Sequence, residues 1–265
     1  MPEVAFYSNK QPGGWNRHIY NKEADMRRIT SILLISVLIG ISGCASTQGA
    51  KSVKKSGFLG DYSLLKEGQR STISEGVEDQ ALWIYKNPAA DWPKYTKIQL
   101  EPVTIWMSQK DSQLKDVSVE DRQRLAALAW SMADEQLRKD YEMTGQPGPD
   151  VMRFEIAITE AESSNVVLDT VTSIIPQTRL LTGAKGLATG VSGFTGSASG
   201  EIKVTDSTTG AILAEAVDRR GGTKNLSGVT NKWNDVEEAY RHWAERLRYR
   251  LCQWRGGTNC VEPEA

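Results

Sequence analysis

The chain has 265 residues, which allows one or two domains, and 39% of them are hydrophobic while 25% are charged. This composition is that of a soluble globular chain with a sizeable core. Lys and Arg number 32 against 33 Asp and Glu, so the formal net charge is −1. A charge this balanced argues against a nucleic-acid partner.

A signal for export lies near the N-terminus. The basic start Met26-Arg27-Arg28 precedes an apolar run of 13 residues from Ile29 to Ile41. This layout is typical of a secretory signal peptide, and the run is shorter than the ~20 residues that a membrane-spanning helix needs. Residues 1–25 are polar and contain Pro12-Gly13-Gly14, so they form no part of that apolar region. We interpret Met26 as the true start, with an unusually long N-terminal region of the signal peptide as the alternative. In either case residues 1–43 are removed with the signal peptide.

The end of the apolar run resembles the lipobox of bacterial lipoproteins. Ile41-Ser42-Gly43-Cys44 combines a bulky aliphatic residue with small residues before a cysteine, although leucine is commoner than isoleucine at the first position. The resemblance implies cleavage before Cys44 by the lipoprotein signal peptidase and acylation of that cysteine, with palmitate among the chains. Because Ala45 rather than Asp follows, it also implies an outer-membrane location facing the periplasm. Acyl chains contribute about 0.8 kcal/mol per buried methylene, so several of them anchor a protein stably.

Residues 44–56 are small and polar, with three lysines. Such a segment buries little apolar surface, which predicts a flexible, lipidated tether. Contact of the lysines with anionic head groups is the alternative role. We expect residues 57–262 to form a single periplasmic domain.

The first part of this domain mixes aromatic residues with turn formers. Residues 56–95 show no clear periodicity, which predicts irregular structure wrapped across the domain, with one short strand at Leu82–Tyr85. A second strand is predicted at Lys97–Trp106, with a bulge or edge position at Pro102 because proline cannot donate to a ladder.

A helix is predicted next, from the capping box Ser118-Val119-Glu120-Asp121 to about Met143. Gly145 and Pro147 end it. Its expected buried face consists of apolar residues at helical spacing: Leu125, Leu128, Ala129, Met132 and Ala133.

The second half of the chain predicts a strand, a hairpin and a helix. Hydrophobic residues alternate over Val151–Ala161. Strands at Glu201–Thr205 and Ala211–Val217 flank a turn that ends in Gly210. An apolar stripe at spacings of three and four predicts a long C-terminal helix, with Asn234 as a candidate cap. The stripe consists of Trp233, Val236, Tyr240, Trp243, Leu247, Leu251 and Trp254.

This order of elements predicts an α+β fold. We expect a two-layer sandwich in which a mostly antiparallel sheet of about four strands packs against two amphipathic helices. The irregular aromatic-rich segment and a glycine-rich excursion complete it.

Two cysteines, Cys252 and Cys260, lie near the C-terminus. The export prediction places them in an oxidising compartment. Paired thiols in an oxidising compartment tend to form disulfides, so we predict a Cys252–Cys260 bridge. Two free thiols in a cytosolic protein are the alternative.

Several motifs together resemble the domain of unknown function 3313 family of bacterial lipoproteins. Besides the lipobox, they are Ser56-Gly57-Phe58-Leu59-Gly60-Asp61-Tyr62, Tyr85-Lys86-Asn87-Pro88, Asp91-Trp92, Tyr95, Lys97-Ile98 and Ile175-Pro176-Gln177-Thr178-Arg179. The resemblance covers roughly Cys44 to Trp254. It implies a location and a shared fold, and it supplies no activity or catalytic residues.

The sequence offers little chemistry. His242 is the single histidine after Cys44, and its position four residues after Glu238 predicts an exposed pair rather than a catalytic base. The carboxylates Glu160, Glu162 and Asp169 are better explained as surface charge than as a hydrolase site. One histidine and a bridged cysteine pair are too few for a metal site, so we expect no metal, no cofactor and no enzyme activity.

The stretch 180–200 is unusual because glycines recur every three or four residues and because Lys185 is its only charged residue. The glycines are Gly183, Gly186, Gly190, Gly193, Gly196 and Gly200. On a helix they would form a smooth face for a membrane or a partner. A mobile excursion between strands is the favoured interpretation, because each glycine costs a helix about 1 kcal/mol relative to alanine.

We therefore expect a lipid-anchored periplasmic domain that acts as a binding or structural component of the envelope. Its partners would be the membrane, through the lipid, and an envelope protein or glycan; the sequence does not indicate an oligomeric state. The alternative is an accessory subunit of a membrane complex that uses segment 180–200, and a hydrolase is the least favoured class.

Overall fold

The structure is a computed structural model that describes residues 47–69, 80–107, 112–164, 195–222 and 231–263. The predicted signal peptide, Cys44 and residues 180–194 of the glycine-rich segment lie outside these ranges.

The described residues form one sheet of nine strands together with two α-helices. The strands are β1 (Gln48–Gly49), β2 (Lys66–Glu67), β3 (Trp83–Lys86), β4 (Lys97–Leu100), β5 (Thr104–Ile105), β6 (Glu142–Met143), β7 (Val151–Glu162), β8 (Ser197–Asp206) and β9 (Ile212–Gly221). Their order is β2-β3-β9-β8-β7-β4-β6, with β1 on β9 and β5 on β7. The α+β class is confirmed, whereas about four strands was too few.

The centre of the sheet is the antiparallel meander β7-β8-β9. Alternation in β7 places Phe154 and Ile158 on one face, at 0% and 2% exposure, as the sequence predicted. The hairpin between β8 and β9 turns at Gly210, whose φ of 72° is open to glycine at little steric cost. Beside β7, the predicted strand at 97–106 is split into β4 and β5, and Pro102 lies in the gap.

The first helix, α1, spans Val119–Leu137. Ser118 Oγ accepts the backbone N–H of Asp121 at 3.0 Å, which confirms the predicted cap. The helix ends six residues before the predicted Met143, because the chain must turn for Glu142 and Met143 to pair with β4. The pairing of β6 with β4 thus outweighs the local helix propensity of the residues that follow Leu137.

The second helix, α2, spans Asn234–Trp254. The residue before its first turn is Trp233, so the prediction that Asn234 caps the helix was wrong. Its apolar stripe is confirmed, since Val236 and Leu251 are fully buried in the core between helices and sheet.

The opposite face of the sheet is covered by the N-terminal segment. Leu59 and Leu65 pack with Val217 of β9, surrounded by Phe58 and Tyr62. This confirms a segment wrapped across the domain by aromatic side chains.

The described part of the predicted tether belongs to the fold. Gln48 and Gly49 pair with β9, and the buried Ser56 donates its N–H to Glu201 Oε1 at 2.7 Å. A flexible tether was therefore the wrong prediction for Thr47–Ser56, because its backbone polar groups find partners in the sheet.

The predicted Cys252–Cys260 disulfide is present and ties the end of α2 to the C-terminal segment. None of the helices in the described ranges is long and apolar enough to cross a membrane.

Candidate functional site

A cavity of about 170 Å³ lies between α2 and the sheet. Its floor is a row of cross-strand neighbours from four strands: Ile84, Ala216, Ile202 and Ile156. All four are half-buried, whereas Val204 on the same face is 1% exposed. These side chains are less completely covered because they border the cavity.

The cavity exists because small side chains face each other across the two layers. Ala214 and Ala216 project from β9, and Ala244 lies among the lining residues of α2. Alanine leaves a gap of several methylenes where leucine or isoleucine would fill it.

One wall is formed by Trp243 of α2, which two contacts hold in place. Its Nε1–H donates to Asp218 Oδ2 at 2.8 Å, and Asp218 Oδ1 accepts the N–H of Leu82 at 3.2 Å. Its ring also covers Gly200, where a Cβ would lie 3.3 Å from the ring. Glycine at position 200 therefore lets the indole lie close to the sheet.

Basic side chains line the same cavity. His242, Arg246 and Arg250 follow one another at intervals of four residues, so they share one flank of α2. Arg220 of β9 lines it as well, and its guanidinium donates to Thr47 Oγ1 and Thr47 O at 2.8 and 2.9 Å.

The acidic side chains at the cavity are fewer. Glu201 and Glu215 belong to the lining, but the alternation of the strands directs their side chains to the opposite face. Glu201 shows this directly, because it accepts from Ser56 and Tyr62 on that face. Asp218 is the carboxylate that points to the helix side, where Trp243 and Leu82 engage it.

Arg246 carries an unsatisfied donor. Its side chain is 12% exposed, and Nη1 donates to the exposed Glu262 at 3.2 Å. Among the described residues, its buried Nε finds no hydrogen-bond acceptor. Buried donors without acceptors are rare in native proteins.

Two of the six glycines singled out from the sequence are described. Gly196 donates its N–H to the buried Asp235 at 2.6 Å at the start of β8, and Gly200 lies within β8. At these two positions the favoured interpretation of a mobile excursion was wrong, and so was the alternative of a helix, because Gly200 lies within the central strand β8 and Gly196 directly precedes it. Trp243 lies against Gly200, and Asp235 lies against Gly196. Gly183, Gly186, Gly190 and Gly193 lie outside the described residues, as does Cys44.

Of the polar residues considered for catalysis, only His242 borders the cavity in the described part of the chain. Glu160 and Glu162 of β7 lie 3.6 and 3.8 Å from the guanidinium of Arg219, and Asp169 lies outside the described residues. His242 is half-buried beside the cavity, so the expectation of an exposed side chain was wrong. The reason is that the flank of α2 next to its apolar stripe also faces the sheet.

The cavity was not predicted from the sequence, although one signal for it was present. His242, Arg246 and Arg250 repeat at helical spacing directly beside Trp243 and Leu247 of the apolar stripe. Such a repeat indicates basic side chains that border a buried surface. The floor carried no comparable signal, since its members come from four separate segments.

The family model described as "protein of unknown function (DUF3313)" matches residues 54–247. The chain belongs to the DUF3313 family. This membership confirms the resemblance that the sequence motifs indicated, and it covers β2 to β9 and most of α2. A comparison with curated proteins finds no match.

Solved structures with a similar arrangement include two of PelC from Paraburkholderia phytofirmans, both dodecamers. One, a variant, is 10% identical with a TM-score of 0.34 and covers 66% of this chain and 96% of its own. The other is 12% identical with a TM-score of 0.33, covering 60% and 89%. A protein from Caulobacter crescentus CB15, provisionally classed as a lipoprotein, is 10% identical with a TM-score of 0.31, covering 63% and 95%. Similarity at this level carries no conclusion about ligand or assembly.

Proposed function

We propose that the protein is a lipoprotein anchored through Cys44 to the periplasmic side of the outer membrane, and that its domain binds a small apolar ligand in the cavity beneath α2. The observation that carries the binding role is the row of half-buried apolar side chains in the cavity floor, Ile84, Ala216, Ile202 and Ile156.

The size and lining of the cavity support binding. A mostly apolar cavity with a few polar groups is the common form of a small-molecule site. At about 170 Å³ it is close to the volume of ~150 Å³ that admits benzene in an engineered core. Ligands of this size are single rings or short chains.

The anchoring role rests on the sequence around Cys44, and the disulfide supports export because such bonds persist in oxidising compartments. Metabolic labelling with palmitate tests it in cells that express the full chain. We expect label on the wild type, none on Cys44→Ala, and unchanged label on Cys252→Ala as the matched control. Label that persists on Cys44→Ala would refute the anchor.

The sorting to the outer membrane has its own test. Ala45→Asp introduces the residue that usually retains lipoproteins at the inner membrane, so density-gradient fractionation should move the protein there. An unchanged distribution would contradict outer-membrane sorting while leaving lipidation intact.

Binding is tested with octanol, a neutral probe with a short apolar chain. Calorimetric titration into the full chain carrying Cys44→Ser, which prevents lipidation, should give saturable binding. Ala216→Leu fills the cavity floor and should abolish it. Ala127→Leu on the exposed side of α1 is the matched control and should bind as before. Absence of saturable octanol binding to the unfilled protein would refute the binding role.

A further inference from the structure

We infer that the domain lies directly on the bilayer that holds its anchor, with the end of the sheet formed by β1 and the last residues of β9 against the lipid head groups. The inference rests on the proposed lipidation of Cys44 and adds to it the surface of the domain that the membrane contacts.

Very little chain separates the anchor from the fold. After cleavage, only Ala45 and Ser46 lie between Cys44 and Thr47. An extended chain advances at most about 3.3–3.6 Å per residue, so the Cα atoms of Cys44 and Thr47 are no more than ~11 Å apart. Acyl chains buried in the bilayer place the lipidated cysteine at the level of the head groups. Thr47 therefore has to lie close to that level.

The sheet holds Thr47 firmly. The guanidinium of Arg220, which is 4% exposed as a residue, donates to Thr47 Oγ1 at 2.8 Å and to the carbonyl oxygen of Thr47 at 2.9 Å. The strand Gln48–Gly49 pairs with the end of β9, and the N–H of Ala50 donates to the carbonyl oxygen of Arg219 at 2.9 Å. Because these bonds begin at Thr47, the limit on its distance from the bilayer is also a limit on the end of the sheet.

The register of the strands identifies this end. Gln48 lies opposite Gly221, the last residue of β9, and Gly221 lies opposite Ser197, the first residue of β8. The other end of the same hairpin is the turn at Gly210. Strands rise about 3.3 Å per residue, so the 10 residues of β9 separate the two ends by ~30 Å. With the β1 end on the head groups, the turn at Gly210 lies on the far side of the domain.

The charges near this end are compatible with a lipid surface. Glu160 and Glu162, in the last part of β7, lie 3.6 and 3.8 Å from the guanidinium of Arg219. Residues 44–60 include no acidic residue, and Lys51 is exposed. Anionic head groups attract lysines close to the membrane surface, so charge adds to the effect of the short link.

The experiment measures how close each end of the domain lies to the bilayer. Lys232 marks the near end, because its side chain is 59% exposed and its carbonyl oxygen accepts the N–H of Ser164, just after β7, at 2.8 Å. Thr208 is exposed in the hairpin turn and marks the far end. Lys232→Cys and Thr208→Cys each add one free thiol for a bimane label, since Cys252 and Cys260 are bridged.

The lipidated full chain carrying either label is reconstituted in vesicles of phosphatidylethanolamine and phosphatidylglycerol. Part of the lipid carries a nitroxide on its head group, and the nitroxide quenches bimane only on close approach. We expect the label at position 232 to be quenched severalfold more strongly than the label at position 208.

A longer link tests the cause. About twenty Gly and Ser residues inserted between Ser46 and Thr47 would span ~25 Å as a flexible chain. Quenching at position 232 should then fall severalfold, towards the value at position 208. The same residues appended after Ala265 are the matched control and should leave the quenching unchanged.

Palmitate labelling of the same variants separates this inference from the proposed anchor. If palmitate is incorporated and the two positions are quenched equally, the orientation is refuted and the anchor stands. If palmitate is incorporated and the longer link leaves the quenching at position 232 unchanged, the short link does not set the contact and the inference fails. If no palmitate is incorporated, the anchor fails and this inference fails with it.

Discussion

Tyr62 donates its hydroxyl to Glu201 Oε2 at 2.7 Å, which joins the N-terminal segment to the middle of β8. The same hydroxyl accepts the N–H of Gly57 at 2.6 Å, and Glu201 Oε1 accepts the N–H of Ser56. Burial, together with the bond to Glu201, raises the pKa of Tyr62, so its hydroxyl stays a donor through the neutral range. One side chain thus closes the segment over a carboxylate that is 1% exposed.

Tyr62→Phe should therefore lower the free energy of unfolding by about 1–3 kcal/mol, because it leaves a buried carboxylate with one donor fewer. Urea denaturation of the full chain measures this. Hydrogen exchange should also rise at Ser56 and Gly57. The control is Tyr85→Phe in β3, which should change stability by about 0.5 kcal/mol or less. Equal effects of the two variants would contradict the role of the Tyr62 hydroxyl.

The buried carboxyl group of Glu215 should make the free energy of unfolding fall as the pH rises. It is 2% exposed, and its two carboxylate oxygens lack hydrogen bonds among the described residues. Burial raises the pKa of Glu215, and the ammonium group of Lys203 opposes this only in part. Below the ordinary pKa of a glutamate, Glu215 is protonated in both the folded and the unfolded state, so its titration does not lower the free energy of unfolding. As the pH rises, the unfolded chain releases its proton first, so the folded state loses stability until the raised pKa is passed.

Glu215→Gln removes this titration. Relative to the wild type, we expect the variant to gain stability between pH 4 and pH 8, as measured by the change in thermal midpoint at each pH. Glu135→Gln, on an exposed turn of α1, serves as the control and should show no such trend. A difference between Glu215→Gln and wild type that is constant with pH would overturn the prediction.

The carboxylate of Asp206 should have the opposite effect, because its contribution to the free energy of unfolding is lost as the pH falls. Burial works against its charge, but the N–H groups of Thr208 and Thr209, Lys94 and the hydroxyl of Tyr95 hold the pKa of Asp206 well below its usual range. Its contribution to stability is therefore present above the ordinary pKa of aspartate and is lost as the pH falls towards the lower folded value.

Asp206→Asn should cost about 1–3 kcal/mol at neutral pH, because the ion pair with Lys94 at 3.1 Å and the charged acceptor are lost. The cost should shrink below about pH 4, where the unfolded carboxyl begins to be protonated. Urea denaturation at pH 7 and pH 3 measures both values, and Asp116→Asn at an exposed position provides the baseline. A cost that is the same at both pH values would show that the charge of Asp206 does not matter.

The Cys252–Cys260 bridge should stabilise the domain modestly, because it closes a short loop with a sequence separation of 8. Chain-entropy arguments give about 2–3 kcal/mol for a loop of this size. The double variant Cys252→Ser and Cys260→Ser should lose that amount in urea denaturation. The wild type measured in reductant should lose the same amount. A fully reduced wild type as stable as the oxidised one would disprove the contribution.

The elements that were predicted well from the sequence are those in which a regular hydrophobic pattern extends over many residues. Alternation over Val151–Glu162 and the apolar stripe of α2 each involve ten or more residues, so local patterning dominates. Strands such as β1, β2 and β6 have two residues each and carry no period of their own. They exist because a longer strand offers them free backbone groups, which is information from distant parts of the chain.

The same distinction explains the candidate site. His242, Arg246 and Arg250 lie on one helix, so their shared flank was readable from their spacing. The row Ile84, Ala216, Ile202 and Ile156 was not, since its register depends on how four strands pair.

The sequence by itself determined the α+β class, the long strands and helices, the pair Cys252 and Cys260, and the family. The tertiary structure alone decided where small side chains face each other across the layers, and hence that a cavity lies beneath α2 with Arg246 at its edge. The physical reason is range: helical and strand periods are set by neighbours in the chain, whereas a gap in packing arises between residues that meet only after folding.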